Sequence, residues 1–295
     1  MAADRGRGVH QRQLDPRSGD HSGGAQHGSY GPSPSISGIG ANDWYDRDEG
    51  VHVTSVSDAQ TQLLRGSGPG SSPNRLLEKL FLAVDRQVGA ANYLVVFTAD
   101  HGVAPVPEVN LARKMPGGRI EPAAIKAAAE GALVKKYGAG EWVAGAWDLA
   151  VYLNQGLIAQ LKLDLAEVER EAARAIQALP HISRVYTLQE MTQGGGVKDT
   201  VSQKVANGFH WRRGPDVELI PDAYWMVGTG KGTGHAAPYS YHTHVPVIFL
   251  GAGIRAEQYH ASVAVNDIAP TLATMVELET PSGSMGRVLT EILVN

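Results

Sequence analysis

The sequence predicts an α/β fold with a mostly parallel sheet that helices cover on both faces. Two apolar runs, residues 93–98 and 245–254, are typical of buried strands, and helix-forming segments lie between them. Continuous apolar strands that alternate with helices favour a parallel sheet with two covered faces. The chain has 295 residues, 43% of them hydrophobic, which is enough for one large core or for a core and a smaller subdomain.

The segments divide into a leader, a core in two parts and an insertion. Residues 1–33 are rich in Gly, Ser, Arg and His, and we expect them to be poorly ordered. Residues 34–109 and 226–295 are assigned to the core, in which Leu80, Phe81, Val84 and Val88 have the spacing of an amphipathic helix that stops at Gly89. Residues 110–225 are predicted to form an α+β insertion. Its expected elements are a helix over 125–136, a strand over 149–153, a helix over 165–179 capped by Asp164, and a strand over 182–186.

Composition excludes several classes of protein. The formal net charge is −4, from 26 basic and 30 acidic residues, so no basic excess favours nucleic acid as a partner. There is no cysteine, so any metal ion must bind to His, Asp, Glu or hydroxyl ligands. No apolar run reaches the ~18–20 residues of a membrane span. No export signal is recognised in the N-terminal residues, and the cellular location is left open.

Two histidine-containing motifs stand next to the predicted strands. The run LVVFTADHG places Asp100 and His101 directly after an apolar strand, and His235, His242 and His244 precede the strand at 245–254. Functional groups of open α/β sheets gather at strand ends, and a carboxylate next to an imidazole suits a divalent cation. On spacing alone, a capping role for Asp100 and a purely structural role for His101 remain equally open.

At these motifs the sequence resembles the alkaline phosphatase superfamily, and within it the type I phosphodiesterase/nucleotide pyrophosphatase-like alkaline phosphatases. The matching stretches are SISGIGANDWYDRDEG, VTSVSD, GSSPNRLL, LVVFTADHGVAPVPE, GTGHAAPYSYHTHVPVIFLGAGI and NDIAPTLATMVELETPSG, spread over residues 33–295. The resemblance implies an αβα sandwich with a small α+β insertion. It also implies a metal-dependent phosphomonoesterase or phosphodiesterase that acts on a small-molecule phosphoester through a phosphorylated Thr or Ser. Members of the family are typically exported or periplasmic.

The resemblance also assigns the site residues. Asp100 and His101 match the pair that binds the metal ion on the nucleophile side, and His235 matches a ligand of the second metal ion. Asn42 matches the asparagine that donates a hydrogen bond to a phosphoryl oxygen, although a turn-forming role for Asn42 is also open. The family carries two zinc ions, and we expect one or none in this chain.

That expectation follows from departures from the family pattern. Residues 18–35 stand where the family has its nucleophile and contain no Thr, so the nucleophile is not identified. The N-terminal metal-binding aspartate and a segment that supplies two further ligands have no counterpart, which implies a chain shortened at its N-terminus and internally deleted. The alternative function is therefore a catalytically impaired or inactive remnant. Ala236 replaces a family Gly, and His242 replaces a family Asp, either as a substitute ligand or as a solvated loop imidazole. The oligomeric state is left open.

Overall fold

The structure of the protein, a computed structural model, describes residues 43–47, 50–54, 73–193 and 199–294. The predicted leader (1–33), Asn42 and residues 18–35 lie outside these ranges. The strands β1–β10 are Asp43–Asp46, Val51–Thr54, Leu94–Phe97, Gly118–Ile120, Val143–Trp147, Ala150–Leu153, Ile182–Thr187, Val217–Pro221, Trp225–Val227 and Ile248–Gly251. The helices α1–α9 are Pro73–Val88, Pro107–Ala112, Pro122–Tyr137, Gln155–Gln160, Leu165–Gln177, Leu188–Gln193, Thr200–Gly208, Ser240–Thr243 and Ile268–Met275. Among the helices in these ranges, none has both the length and the apolar character needed to cross a bilayer.

The strands β3 and β10 form an antiparallel ribbon. Phe97 pairs with Ile248 and Leu94 pairs with Gly251, so the end of β3 lies beside the start of β10. The loop after β3 and the loop before β10 therefore leave the ribbon at the same end. This pairing positions the two histidine-containing motifs.

The expected mostly parallel arrangement is not found among the described strand pairs. Only β4 and β9 pair in parallel, whereas β1–β2, β3–β10 and the sheet β5-β6-β8-β7 are antiparallel. The prediction rested on apolar runs that were taken to be buried on both faces. In the structure, Ile248 and Leu250 are each 54% exposed and Phe97 is 49% exposed. A strand with one open face is compatible with antiparallel pairing.

The largest core cluster is formed by residues between Ile120 and Ile220, on the sheet β5-β6-β8-β7 and the helices α3 and α5. The helix α5 begins where the sequence predicts it, because the Asp164 side chain accepts a hydrogen bond from the backbone N–H of Ala166. Its buried residues Val168, Ala172 and Ile176 recur at the spacing of one helix face. The helix α1 differs from the prediction, since Leu80 and Val88 on its apolar stripe are exposed.

A carboxyl group is buried inside this core. Glu218 lies in the middle of β8, whose five residues are all buried. Burial raises the pKa of Glu218 to about 8, because the ionised form has lost its hydration. The carboxyl group is therefore protonated in the folded protein at pH values where it is ionised in the unfolded chain.

This difference predicts a pH-dependent stability. As the pH rises from the ordinary Glu pKa of 4.5 to about 8, the unfolded chain loses a proton that the folded chain keeps. The free energy of unfolding should fall across that interval by up to about 1.4 kcal/mol per pH unit. We expect Glu218→Gln to make the slope less steep in urea unfolding measured at pH 5, 6, 7 and 8, with a remainder below pH 7 from Glu169, whose pKa burial raises to about 7. The exposed Glu141, changed to Gln, is the control, and equal slopes for both variants would contradict the prediction.

Candidate functional site

Two loops meet at the end of the β3–β10 ribbon and bring two predicted ligands together. The imidazole rings of His101 and His235 are stacked with their centroids 3.7 Å apart and their planes 22° from parallel. Asp100 lies next to this pair, with Oδ2 3.6 Å from Nε2 of His101, and its side chain is 57% exposed. Three of the four predicted site residues are thus adjacent, and Asn42 lies outside the described residues.

His101 is held in one tautomer. Its Nδ1 lies 2.8 Å from the carbonyl oxygen of Gly102. Because a carbonyl only accepts hydrogen bonds, Nδ1 carries a proton, and in the neutral ring Nε2 keeps its lone pair. Histidine ligands of metal ions commonly show this arrangement, in which the outer nitrogen donates to a carbonyl and the inner nitrogen faces the ion.

Gly102 allows the β3 loop to approach the helix α8. Its N–H donates a 2.7 Å hydrogen bond to the carbonyl oxygen of His242. A Cβ at position 102 would lie 2.3 Å from the carbonyl oxygen of Tyr241, which is far inside van der Waals contact. Close packing of the β3 loop against α8 therefore requires a glycine at this position.

His235 is accessible to solvent and lies in a charged environment. Burial and the neighbouring His101 lower the pKa of His235, whereas Asp148 and Asp100 act in the opposite direction. Its imidazole is therefore neutral at neutral pH. Asp148 belongs to the two-residue turn between β5 and β6 and has a φ of 50°, a conformation that is uncommon for a residue with a Cβ. The sequence analysis did not single out Asp148, although an Asp between two short strand segments indicates a turn.

The sheet β5-β6-β8-β7 also contacts Tyr45 and Arg47, at and just after β1. Tyr45 packs against Tyr152 with ring centroids 5.9 Å apart, and Nη2 of Arg47 lies 3.2 Å from Oδ1 of the fully buried Asp216. Asp216 also accepts a 2.7 Å hydrogen bond from the N–H of Leu153. This buried ion pair fixes the strand β1 against the sheet β5-β6-β8-β7. It joins residues far apart in the sequence, so local patterns gave no sign of it.

The loop near Trp211 carries two arginines, Arg212 and Arg213. Trp211 is exposed, and the Arg212 guanidinium lies 5.6 Å from the centre of its ring. The Arg212 carbonyl accepts a 2.9 Å hydrogen bond from Nη1 of Arg47. Burial, followed by Arg213 and Arg212, lowers the pKa of His210. The loop is therefore attached to the residue that follows β1.

His242 is not the solvated imidazole that one alternative described. It is only 2% exposed, and its Nδ1 is 2.8 Å from the carbonyl oxygen of Ala237. Its buried Nε2 has no hydrogen-bond partner among the described residues. Between His235 and Ala237, Ala236 adopts a φ of 113°, in the region that favours glycine.

The donor atoms at this site are of the types that bind zinc, but the described residues do not complete a zinc site. Among residues 43–47, 50–54, 73–193 and 199–294, no three His, Asp or Glu side chains are arranged to hold a metal ion. Zinc usually takes about four ligands in a tetrahedron, whereas His101 and His235 stack face to face. No chemical step can therefore be assigned to a metal ion from these residues.

Comparison with known proteins shows what the chain is similar to. No protein-family model matches it. Alkaline phosphatase PafA of Elizabethkingia meningoseptica is 29% identical over 256 residues, which are 86% of this chain and 45% of that protein. Alkaline phosphatase PhoV of Synechococcus elongatus is 31% identical over 224 residues, covering 74% of this chain and 39% of that protein. The chain thus spans less than half the length of these relatives.

Solved structures show a related fold. The crystal structure of wild-type PafA aligns with a TM-score of 0.69 at 30% identity and covers 75% of this chain and 42% of that chain. Human ectonucleotide pyrophosphatase/phosphodiesterase 5 aligns with a TM-score of 0.52 at 13% identity, covering 75% of this chain and 51% of that chain, and supports the fold alone. The α/β fold class of the alkaline phosphatases is thereby confirmed.

The contact at Gly102 predicts a large effect of a single methyl group. Gly102→Ala would drive its Cβ against the Tyr241 carbonyl oxygen and separate the β3 loop from α8. We expect a loss of about 1–3 kcal/mol in the free energy of unfolding, the usual cost of overpacking. Gly230→Ala is the matched control, since a Cβ there meets nothing within 4 Å. Equal stabilities of the two variants in urea unfolding would contradict the described packing.

The conformation of Ala236 predicts a stabilising substitution. Ala236→Gly removes the Cβ that makes a positive φ unfavourable, a cost of roughly 1–2 kcal/mol, and loses part of that gain to the greater freedom of glycine in the unfolded chain. We expect a net increase of about 0.5–1 kcal/mol in the free energy of unfolding. Ala127→Gly, in the interior of α3, should instead lose about 1 kcal/mol. Both changes can be measured by thermal unfolding, and a destabilised Ala236→Gly variant would refute the prediction.

Proposed function

The chain belongs to the alkaline phosphatase superfamily, and we propose that it hydrolyses small-molecule phosphoesters, phosphomonoesters in the first place. The observation that supports this proposal is the stacking of His101 on His235 beside Asp100 at the end of the β3–β10 ribbon. Two motifs distant in the sequence thus supply imidazole and carboxylate groups to one location. The alkaline phosphatases PafA and PhoV, both similar to this chain, carry the activity in their names.

The proposed roles follow the family resemblance. Asp100 and His101 bind a cation on the nucleophile side, His235 contributes to a second position, and Asn42 donates a hydrogen bond to a phosphoryl oxygen. When bound, zinc would supply positive charge against the phosphoryl oxygens. The lone pair of His101 Nε2 and the neutral state of His235 support ligand roles, because a protonated imidazole cannot bind a metal ion.

The local geometry supports substrate access at Asp100. Its side chain is 57% exposed, against 18% for that of His101. A small phosphoester could therefore approach from the Asp100 side, while the imidazole pair remains anchored to two loops.

The test is hydrolysis of an aryl phosphate at alkaline pH by the full chain, with a chelator, with added zinc and without either. We expect release of nitrophenol that the chelator abolishes and zinc restores. Asp100→Ala should lower the rate by about 100-fold or more, since catalysis by charge stabilisation depends strongly on single groups. Glu141→Ala, an exposed carboxylate far from the motifs in sequence, is the control and should keep the parent rate.

Absence of hydrolysis under every condition would favour the alternative function, a catalytically inactive remnant. Metal analysis of the purified chain distinguishes the two further. We expect at most one weakly bound zinc ion per chain, because the described ligands do not complete a zinc site. Two tightly bound zinc ions per chain would overturn that expectation and would require ligands beyond Asp100, His101 and His235.

A further inference from the structure

We propose that His242 is a positioning residue that holds His235 against His101. The importance of this pair for hydrolysis rests on the proposed function. The positioning role of His242 rests on geometry alone. His242 lies in the short helix α8, between the site loop at 233–237 and the strand β10. It touches both loops of the site, one with its side chain and one with its backbone.

The two contacts of His242 join elements that are otherwise far apart in the sequence. Its Nδ1 donates to the carbonyl oxygen of Ala237, two residues after His235. Its own carbonyl oxygen accepts from the N–H of Gly102, the residue after His101. A shift of His242 would therefore move the supports of both stacked rings at once.

The side chain of His242 contacts a segment whose backbone conformation is unfavourable. Ala236 has a φ of 113°, so the segment from His235 to Ala237 would relax to another conformation if it were not held. On the N-terminal side of His235, the Gly234 carbonyl accepts a 3.1 Å hydrogen bond from the N–H of Ala104. On the C-terminal side, the His242 imidazole holds the Ala237 carbonyl, in the peptide that joins Ala237 to Pro238. His235 is thus fixed from both directions.

The chemistry of the imidazole suits this role. The Ala237 carbonyl can only accept, so Nδ1 carries the proton, and an ionised carboxylate could not make this contact. Burial lowers the pKa of His242, followed by the effects of His235 and His101, although the Ala237 and Gly234 carbonyls act to raise it. The ring is therefore neutral and adds no charge beside the histidine pair. The family pattern has Asp at 242 and Gly at 236, so the hydrogen bond of His242 reaches the residue next to the second departure.

The experiment compares His242→Asn with His242→Gln in the full chain. The amide NH2 of Asn can replace the donor at Nδ1, whereas that of Gln lies near the position of Nε2. The readout is the NMR spectrum of the His101 and His235 ring protons, which the stacked neighbour shifts upfield, recorded without metal or substrate. His244→Gln, at an exposed position in the same loop, is the matched control.

We expect His242→Asn and the control to keep the upfield shifts and His242→Gln to lose them. Zinc affinity, measured by titration, should fall about 10- to 100-fold in His242→Gln only, the usual effect of losing a group that orients a ligand. Adding Ala236→Gly to His242→Gln should restore part of the shifts, because a glycine needs less support at this φ. If His242→Gln alone fails to fold, the ring shifts of the double variant are compared with those of His242→Asn instead.

Identical ring shifts in the Asn and Gln variants would overturn the proposal, whether both keep the stack or both lose it. A double variant with Ala236→Gly that shows no recovery would also count against it. Because these readouts require no turnover, a chain that hydrolyses nothing can still confirm the role of His242. Conversely, hydrolysis with unchanged ring shifts in His242→Gln would support the proposed function and reject this inference.

Discussion

The site depends on the antiparallel pairing of β3 with β10. This register places Phe97 opposite Ile248, so the chain leaves one strand and enters the other at the same end of the ribbon. The hydrogen bonds from Gly102 to His242 and from Ala104 to Gly234 extend that pairing into the loops. The stacked imidazoles are the final contact in this series. Their positions are therefore determined mainly by the backbone, and the side chains complete the arrangement.

Part of the architecture was predictable because local patterns encode it. Asp164 and the apolar face formed by Val168, Ala172 and Ile176 specify α5, and the structure agrees with that prediction. The apolar run ending at Asp100 correctly indicated a strand end. The direction of strand pairing was not predictable. A short apolar run does not specify which strand it pairs with or whether both faces of the strand are buried. The exposed side chains of Ile248 and Leu250 show that here one face is open.

Some features of the candidate site were likewise predictable from the sequence, and others were not. The sequence indicated that Asp100, His101 and His235 would share one location, and the structure brings them together, whereas their metal-binding roles and that of Asn42 stay predictions. The contribution of His242 was hidden because its importance comes from burial and from two contacts across loops. Asp148 was hidden because its effect on His235 is electrostatic and acts from the separate hairpin β5–β6. Tertiary contacts of this kind leave no periodicity in a sequence.

The half-open face of the ribbon has a consequence for the behaviour of the chain in solution. Apolar side chains on a short ribbon, together with those on α1, form the kind of surface that promotes self-association at high protein concentration. Sulfate and similar salts strengthen such contacts, because they are excluded from protein surfaces. Dilution and low salt would weaken such contacts, so the concentration of the sample would set the fraction of the chain that is monomeric.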